Sequence, residues 1–334
     1  MKKKLLSAIK IIIPLSLGIF VMWYVFQGMT QNEQEIMFNT FKEAKYFWIF
    51  LSIVCGVLSH MSRAYRWKYL QEPLGYKFNF WNAFFGVMVG YFANLLIPRI
   101  GEIIRCSVVA RAEGKDVKKL IGTVVAERAF DMIMLLIGIA VVLFLEFDLL
   151  NGLLVSMMGD FDPSQMIKKV LIAGSVLLLV AVLGFLILKK FSNAFFLKVK
   201  AFVLDIWQGV STVFKLKKVT YFIAHSLFIW LMYILMIYVA FFSVENLSNL
   251  PFMSVMSSFV MGGIAMVFVQ GGVGVYPVAV MKTLELYSVD APIGLAIGWI
   301  VWTAQTAMMI VLGSASLLIL PIYNRKSVKL NKAL

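Results

Sequence analysis

The sequence predicts an all-α polytopic integral membrane protein with about six full transmembrane helices and two re-entrant helical hairpins in an inverted-repeat arrangement. Three observations predict it: the composition, recurrent apolar runs of spanning length, and the placing of basic residues between those runs. Of 334 residues, 61% are hydrophobic and 14% charged, and the mean hydropathy is +0.89. A soluble domain carries about a quarter charged residues. Runs of about 18 or more apolar residues can cross the hydrocarbon core. Lipid offers the backbone no partner, so such runs become helices, and the absence of period-two alternation argues against a barrel.

The elements follow in order. Lys2, Lys3 and Lys4 precede an apolar run from Ile9 to Phe26. That run is too long for the core of a signal peptide and no small-x-small cleavage site follows it, so it is expected to be the first span. Ordinary crossings are expected near 9–27, 46–62, 121–145, 168–188, 219–242 and 291–321. Segments 79–97 and 252–280 differ, because glycine, proline and charge interrupt or follow them.

Charge bias sets the sides. Loop 28–45 carries Glu33, Glu35 and Glu43 against Lys42 and Lys45, and fits the outside. Loop 63–78, with Arg63, Arg66, Lys68 and Lys77, fits the cytoplasm. So does 98–120, with Arg99, Arg105, Arg111, Lys115, Lys118 and Lys119. Both cannot be inside if 79–97 crosses fully, so 79–110 is expected to turn near Asn94–Gly101 and return. Segment 146–167 is acidic, 189–218 is lysine-rich, and Arg325, Lys326, Lys329 and Lys332 mark the tail. By the same reasoning 252–290 turns near Gln270–Gly274 and returns to the outside.

The expectation is a single membrane domain over 1–334 in a bacterial cytoplasmic membrane, with both termini cytoplasmic. Units 46–145 and 219–321 have opposite orientation, and broken helices at matching positions point to the substrate site. Eight plain helices, with one or two loops against the charge bias, are the alternative.

The net charge of +14 lies between apolar runs and reads as loop bias and attraction to anionic head groups. No basic stripe with interleaved aromatics is present, so no nucleic-acid partner is expected. Cys55 and Cys106 sit in apolar context and read as small core residues.

The strongest constellation runs from Asn94 through Pro98, Arg99, Gly101 and Glu102 to Arg105. Pro98 biases Ile97 away from helix and Gly101 permits a turn. A helix resuming there puts Glu102 and Arg105 on one face, and its free amides suit a phosphate. Glu127, Arg128 and Asp131 open the 121–145 span. Membrane charges are costly without partner or purpose. Three bases (Arg99, Arg105, Arg128) match three acids (Glu102, Glu127, Asp131), so the group is either a salt-bridge staple or a phosphate site. The second break carries Gly271, Gly272 and Gly274. It either exposes amides to a cavity or lets helices pack closely.

His225 and Gln305, inside apolar runs, read as structural. No metal spacing, nucleophile elbow or Walker lysine appears, so no metal or cofactor is expected.

The segments Asn94 to Arg105, Glu127 to Asp131 and Gly271 to Gly274 resemble three signatures of the lysylphosphatidylglycerol synthase transmembrane-region family, also called flippase-like. The resemblance covers essentially the whole chain. It implies handling of an anionic lipid and a paired re-entrant architecture. The chain departs from the family in having Tyr276 and Pro277 after the glycines, and Gln305 where many members have arginine. After Pro321 only a short basic tail follows, so a stand-alone protein without the aminoacyl-transferase domain is expected.

Three functions are compatible. The first is a flippase or scramblase for an anionic phospholipid, polyprenyl-phosphate or lipid-linked sugar. The second is a non-catalytic partner of envelope-synthesis enzymes. The third, an enzyme acting on a lipid phosphate, is disfavoured by the lack of a nucleophile or cofactor motif. A membrane lipid with an anionic head group is the expected ligand, and a homo-oligomer is compatible with the sequence.

Overall fold

Apolar runs bounded by prolines, glycines and side-chain caps become helices, and among the described residues every regular element is helical. A computed structural model describes residues 16, 18–97, 100–147 and 211–331, side chains at 268, 270 and 326–331 apart. The predicted span at 168–188, most of its flanking loops, Pro98, Arg99 and the first part of the 9–27 run lie outside them.

The helices are α1 (Gly18–Gly28), α2 (Gln31–Glu43), α3 (Tyr46–Gln71), α4 (Phe80–Leu96) and α5 (Gly101–Glu113). They continue with α6 (Val117–Leu145), α7 (Val219–Phe241), α8 (Phe252–Phe268), α9 (Val275–Glu285) and α10 (Ala291–Asn331). Four stretches, Tyr46–Leu74, Val117–Leu145, Val219–Phe241 and Ala291–Arg325, are long and apolar enough to cross a membrane. The protein is therefore an all-α polytopic membrane protein. Helices α4 and α8, at 17 residues each, rise only about 25 Å.

Local chemistry sets the boundaries. Thr30 and Glu33 cap α2 reciprocally, the Thr30 amide donating to the Glu33 carboxylate at 2.7 Å. Asn79 accepts the Asn82 amide at 3.1 Å to start α4, and Asp116 accepts the Lys118 amide at 2.7 Å to start α6. Left-handed Gly114 (φ 66°) closes α5. The stretch 63–71 is helix rather than the loop its arginines suggest. Helix α3 runs on through Arg63 and Arg66 to Gln71, because those charges are buried against partners instead of meeting water.

Helices α4 and α5 fold back on one another, with Gly90 against Gly101 and Gly86 against Val109. Their feet are tied together: Lys115 Nζ donates to the Lys77 carbonyl at 2.7 Å and to Gln71 Oε1 at 2.8 Å. Helices α8 and α9 form a second hairpin, Gly262 lying against the Tyr276 ring. Ser257 and Tyr287 share a hydrogen bond of 2.9 Å across its feet.

Contacts between the two halves are reciprocal. Helices α3 and α7 run antiparallel. Ser52 donates to the Met236 carbonyl at 2.7 Å near one end, and Arg66 donates to Ser226 at 2.8 Å near the other. Helix α4 runs antiparallel to α10, with amide bonds of 3.2 and 2.9 Å between Asn82 and Asn324, and Gly313 against Phe92. In the same way α8 runs antiparallel to α6, Gly138 facing Val260 and Gly263 facing Leu135. Lipid supplies no hydrophobic drive between helices, so small residues and interhelical hydrogen bonds carry these contacts.

Candidate functional site

The break between α4 and α5 starts the site. Ile97 is extended (φ −136°), which the following proline in the sequence favours. The next amides then need new acceptors, and Asn94 Oδ1 accepts the Gly101 amide at 2.8 Å. A Cβ at Gly101 would overlap the Gly90 carbonyl oxygen and the Asn94 side chain, so no larger residue fits. Helix α5 then carries Glu102 and Arg105 inward.

Helix α6 brings Glu127, Arg128 and Asp131, and α3 brings two further arginines. Glu127 is fully buried and takes a bidentate bond from Arg105, Nη1 to Oε1 at 3.1 Å and Nη2 to Oε2 at 3.2 Å. Arg63 Nη1 donates to Glu127 Oε1 at 2.9 Å and to Asp131 Oδ2 at 2.5 Å. Arg66 lies 2.8 Å from Asp131 Oδ1 and 3.5 Å from Glu127 Oε1. Arg105 stacks over the Trp67 ring at 4.1 Å and Arg66 over Phe222 at 5.0 Å. Arg63 also donates to the Tyr233 hydroxyl at 3.3 Å.

Arg128 is held differently. Its nearest carboxylates are Glu102 at 3.5 Å and Asp131 at 3.8 Å. Its side chain is 39% exposed and that of Glu102 32%, whereas Arg63, Arg66, Arg105 and Glu127 are each at 3% or less. Arg128 and Glu102 face a cleft shared with Tyr91, Asn94, Gly101 and Arg105, which has room for about one water molecule.

Among the described residues the cluster holds four guanidiniums (Arg63, Arg66, Arg105, Arg128) against three carboxylates (Glu102, Glu127, Asp131). One positive charge is left in excess. The balance expected from the sequence omitted Arg63 and Arg66, which had been assigned to a loop. Their signal is present, since residues three apart share a helix face and no breaker intervenes before Pro73. Arg99 lies outside the described residues.

The glycine segment forms a separate turn. Gly271, Gly272 and Gly274 have φ of 73°, 67° and 69°, conformations that favour glycine. The Trp302 indole donates to the Gly271 carbonyl at 2.6 Å, and Gly274 lies against the Gly18 backbone of α1. The turn also touches α4, while the charge cluster is built from α3, α5 and α6.

A family model described as the lysylphosphatidylglycerol synthase TM region matches residues 11–313. The chain belongs to that family. The match takes in both hairpins and every residue of the charge cluster, and it makes this a member of a membrane family of lipid-related function. The chain is also similar to a UPF0104 membrane protein of Methanocaldococcus jannaschii, 30% identical over 100 residues. That stretch covers 29% of this chain and 29% of the relative. No solved structure matches the chain.

Proposed function

We propose that this member of the family translocates a membrane lipid with an anionic head group, with the Arg128 cleft as its phosphate site. The lipid is an anionic phospholipid, a polyprenyl-phosphate or a lipid-linked sugar, and the activity is that of a flippase or scramblase. The observation that carries this reading is the excess positive charge of the buried cluster, which opens on the cleft through Arg128. An uncompensated charge at membrane depth costs about 2.5–3.5 kcal/mol on insertion scales. A phosphate oxygen in the cleft would offset it, and a guanidinium fork suits that geometry. Arg105, Arg63 and Arg66 are occupied by Glu127 and Asp131, so Arg128 is the arginine with slack.

The architecture proposed for this task is a pair of re-entrant hairpins in an inverted repeat. Both hairpins have their feet tied, and each opens at the end of the span before it, α3 or α7. Because α3 and α7 run antiparallel, the hairpins would open on opposite faces. The pairing of α4 with α10 and of α8 with α6 suits a twofold axis in the membrane plane. Charge bias then puts both termini in the cytoplasm of a bacterial inner membrane.

The test is movement of fluorescent anionic lipids in liposomes holding the purified protein. Arg128→Gln is expected to lower the rate to that of protein-free liposomes while the protein stays folded. Arg128→Gln with Glu102→Gln removes one charge of each sign from the cleft and should remain inactive. Wild-type rates in both variants would sink the phosphate role and favour a non-catalytic partner of an envelope lipid or glycan synthase.

A further inference from the structure

We propose that His60 takes up a proton when an anionic head group enters the Arg128 cleft, so that lipid binding and proton binding are linked. The inference rests on the anion-site reading above and adds the coupling ion to it.

His60 lies on α3 one turn before Arg63, with its side chain 5% exposed. Its Nδ1 is buried and has no hydrogen-bond partner among the described residues. A buried ring nitrogen without a partner is uncommon and calls for an explanation. The Tyr91 ring packs on the imidazole with centroids 4.6 Å apart, and Tyr91 is also one of the residues that line the cleft. His60 and the place where the head group is proposed to sit therefore share Tyr91 as a neighbour. The titratable and charged groups around it are Arg63 on its own helix, Tyr91 from α4 and Tyr233 from α7. From α6 come Arg128 and, paired to Arg63, the carboxylates Glu127 and Asp131. Helix α10 contributes Gln305 beside Gly56, one turn back along α3.

Both carboxylates within this group are already held by guanidiniums, so an imidazolium at His60 has no anion to itself. A phosphodiester at the cleft mouth, with one oxygen in the cleft, supplies one. The two opposite charges then attract, and each raises the affinity for the other, as reciprocal linkage requires. The proton comes from hydronium or a buffer acid in the solvent and rests on Nδ1: one O–H bond of the donor breaks, one N–H bond forms, and no other covalent bond changes. His225, the chain's other histidine, is the internal control. It is hydrogen-bonded to Ser62 through Nδ1 at 2.8 Å and stacks on Tyr65 away from the cleft.

The experiment uses the full chain in phosphatidylcholine nanodiscs, with short-chain phosphatidylglycerol as probe. That phosphodiester keeps one negative charge over the pH range of imidazole, so it does not titrate itself. Calorimetry in two buffers of different ionisation heat gives affinity and protons taken up together. The wild type is expected to bind more tightly as the pH is lowered from about 8 to about 5, with proton uptake on binding. His60→Gln should still bind, without pH dependence or proton uptake, and His225→Gln should behave as wild type. Two labelled imidazoles give two NMR signals in the unmutated protein, and only that of His60 should move toward imidazolium on lipid addition. Binding without proton uptake, an unmoved His60 signal, or full uptake in His60→Gln would overturn the linkage and leave the anion site standing. Binding absent from the wild type would remove the anion site and the linkage with it.

Discussion

Glu127 accepts from Arg63 and Arg105 and sits beside Arg66 at full burial. Its replacement by Gln leaves three interior cations around a neutral amide. The expected cost is about 3–5 kcal/mol, read as a lower unfolding temperature and loss of monodisperse protein in detergent. Glu102→Gln, at a third exposed, should cost under about 1 kcal/mol and act on lipid affinity instead. A result in which Glu102 mattered more for stability than Glu127 would reverse the division between scaffold and site. Most of these residues were legible in the sequence, because an acid or arginine beside an apolar run draws attention. Arg63 and Arg66 were legible too but were passed over, because the first arginine after an apolar run looks like the end of the span. Only folding brings α6 carboxylates, some 64 residues on, to Arg63.

At the scale of elements, the turn of the first hairpin depends on Asn94 and on close approach at Gly90 and Gly101. Asn94→Ala strands the Gly101 amide and should lower stability by about 1–3 kcal/mol, seen in detergent unfolding. Gly90→Leu should do worse, forcing α4 away from α5 and abolishing lipid movement along with the fold; full transport by that variant would refute the packing. Pro98 and Gly101 announced this break in the sequence, as the three glycines announced the second. The partners of the breaks were illegible, since the Trp302 bond to Gly271 and the contact of Gly274 with Gly18 join segments far apart in the chain.

For the whole molecule, composition and the length of the apolar runs were enough for the all-helical membrane class, whereas the pairing of the two halves had no sequence identity to reveal it. It can be tested in two ways. Cysteines at Lys115 and Lys218 are expected to react from one face of the membrane, and cysteines at Lys45 and Lys282 from the other. Lys45 and Lys115 labelled from the same side would end the re-entrant reading. A short bismaleimide should join Asn82→Cys to Asn324→Cys, and equally Gly138→Cys to Val260→Cys; success of only one pair would break the symmetry. The charge cluster also has a consequence for synthesis. Arg63 leaves the ribosome 64 residues before Glu127, which at roughly 5–20 residues per second is an interval of several seconds. Throughout it, Arg63 and Arg66 have no carboxylate from α6 to meet, so α3 must linger at the bilayer surface or with an insertase until α6 emerges. A nascent chain stalled before Glu127 is then expected to be a target for membrane proteolysis rather than a stable half of the fold.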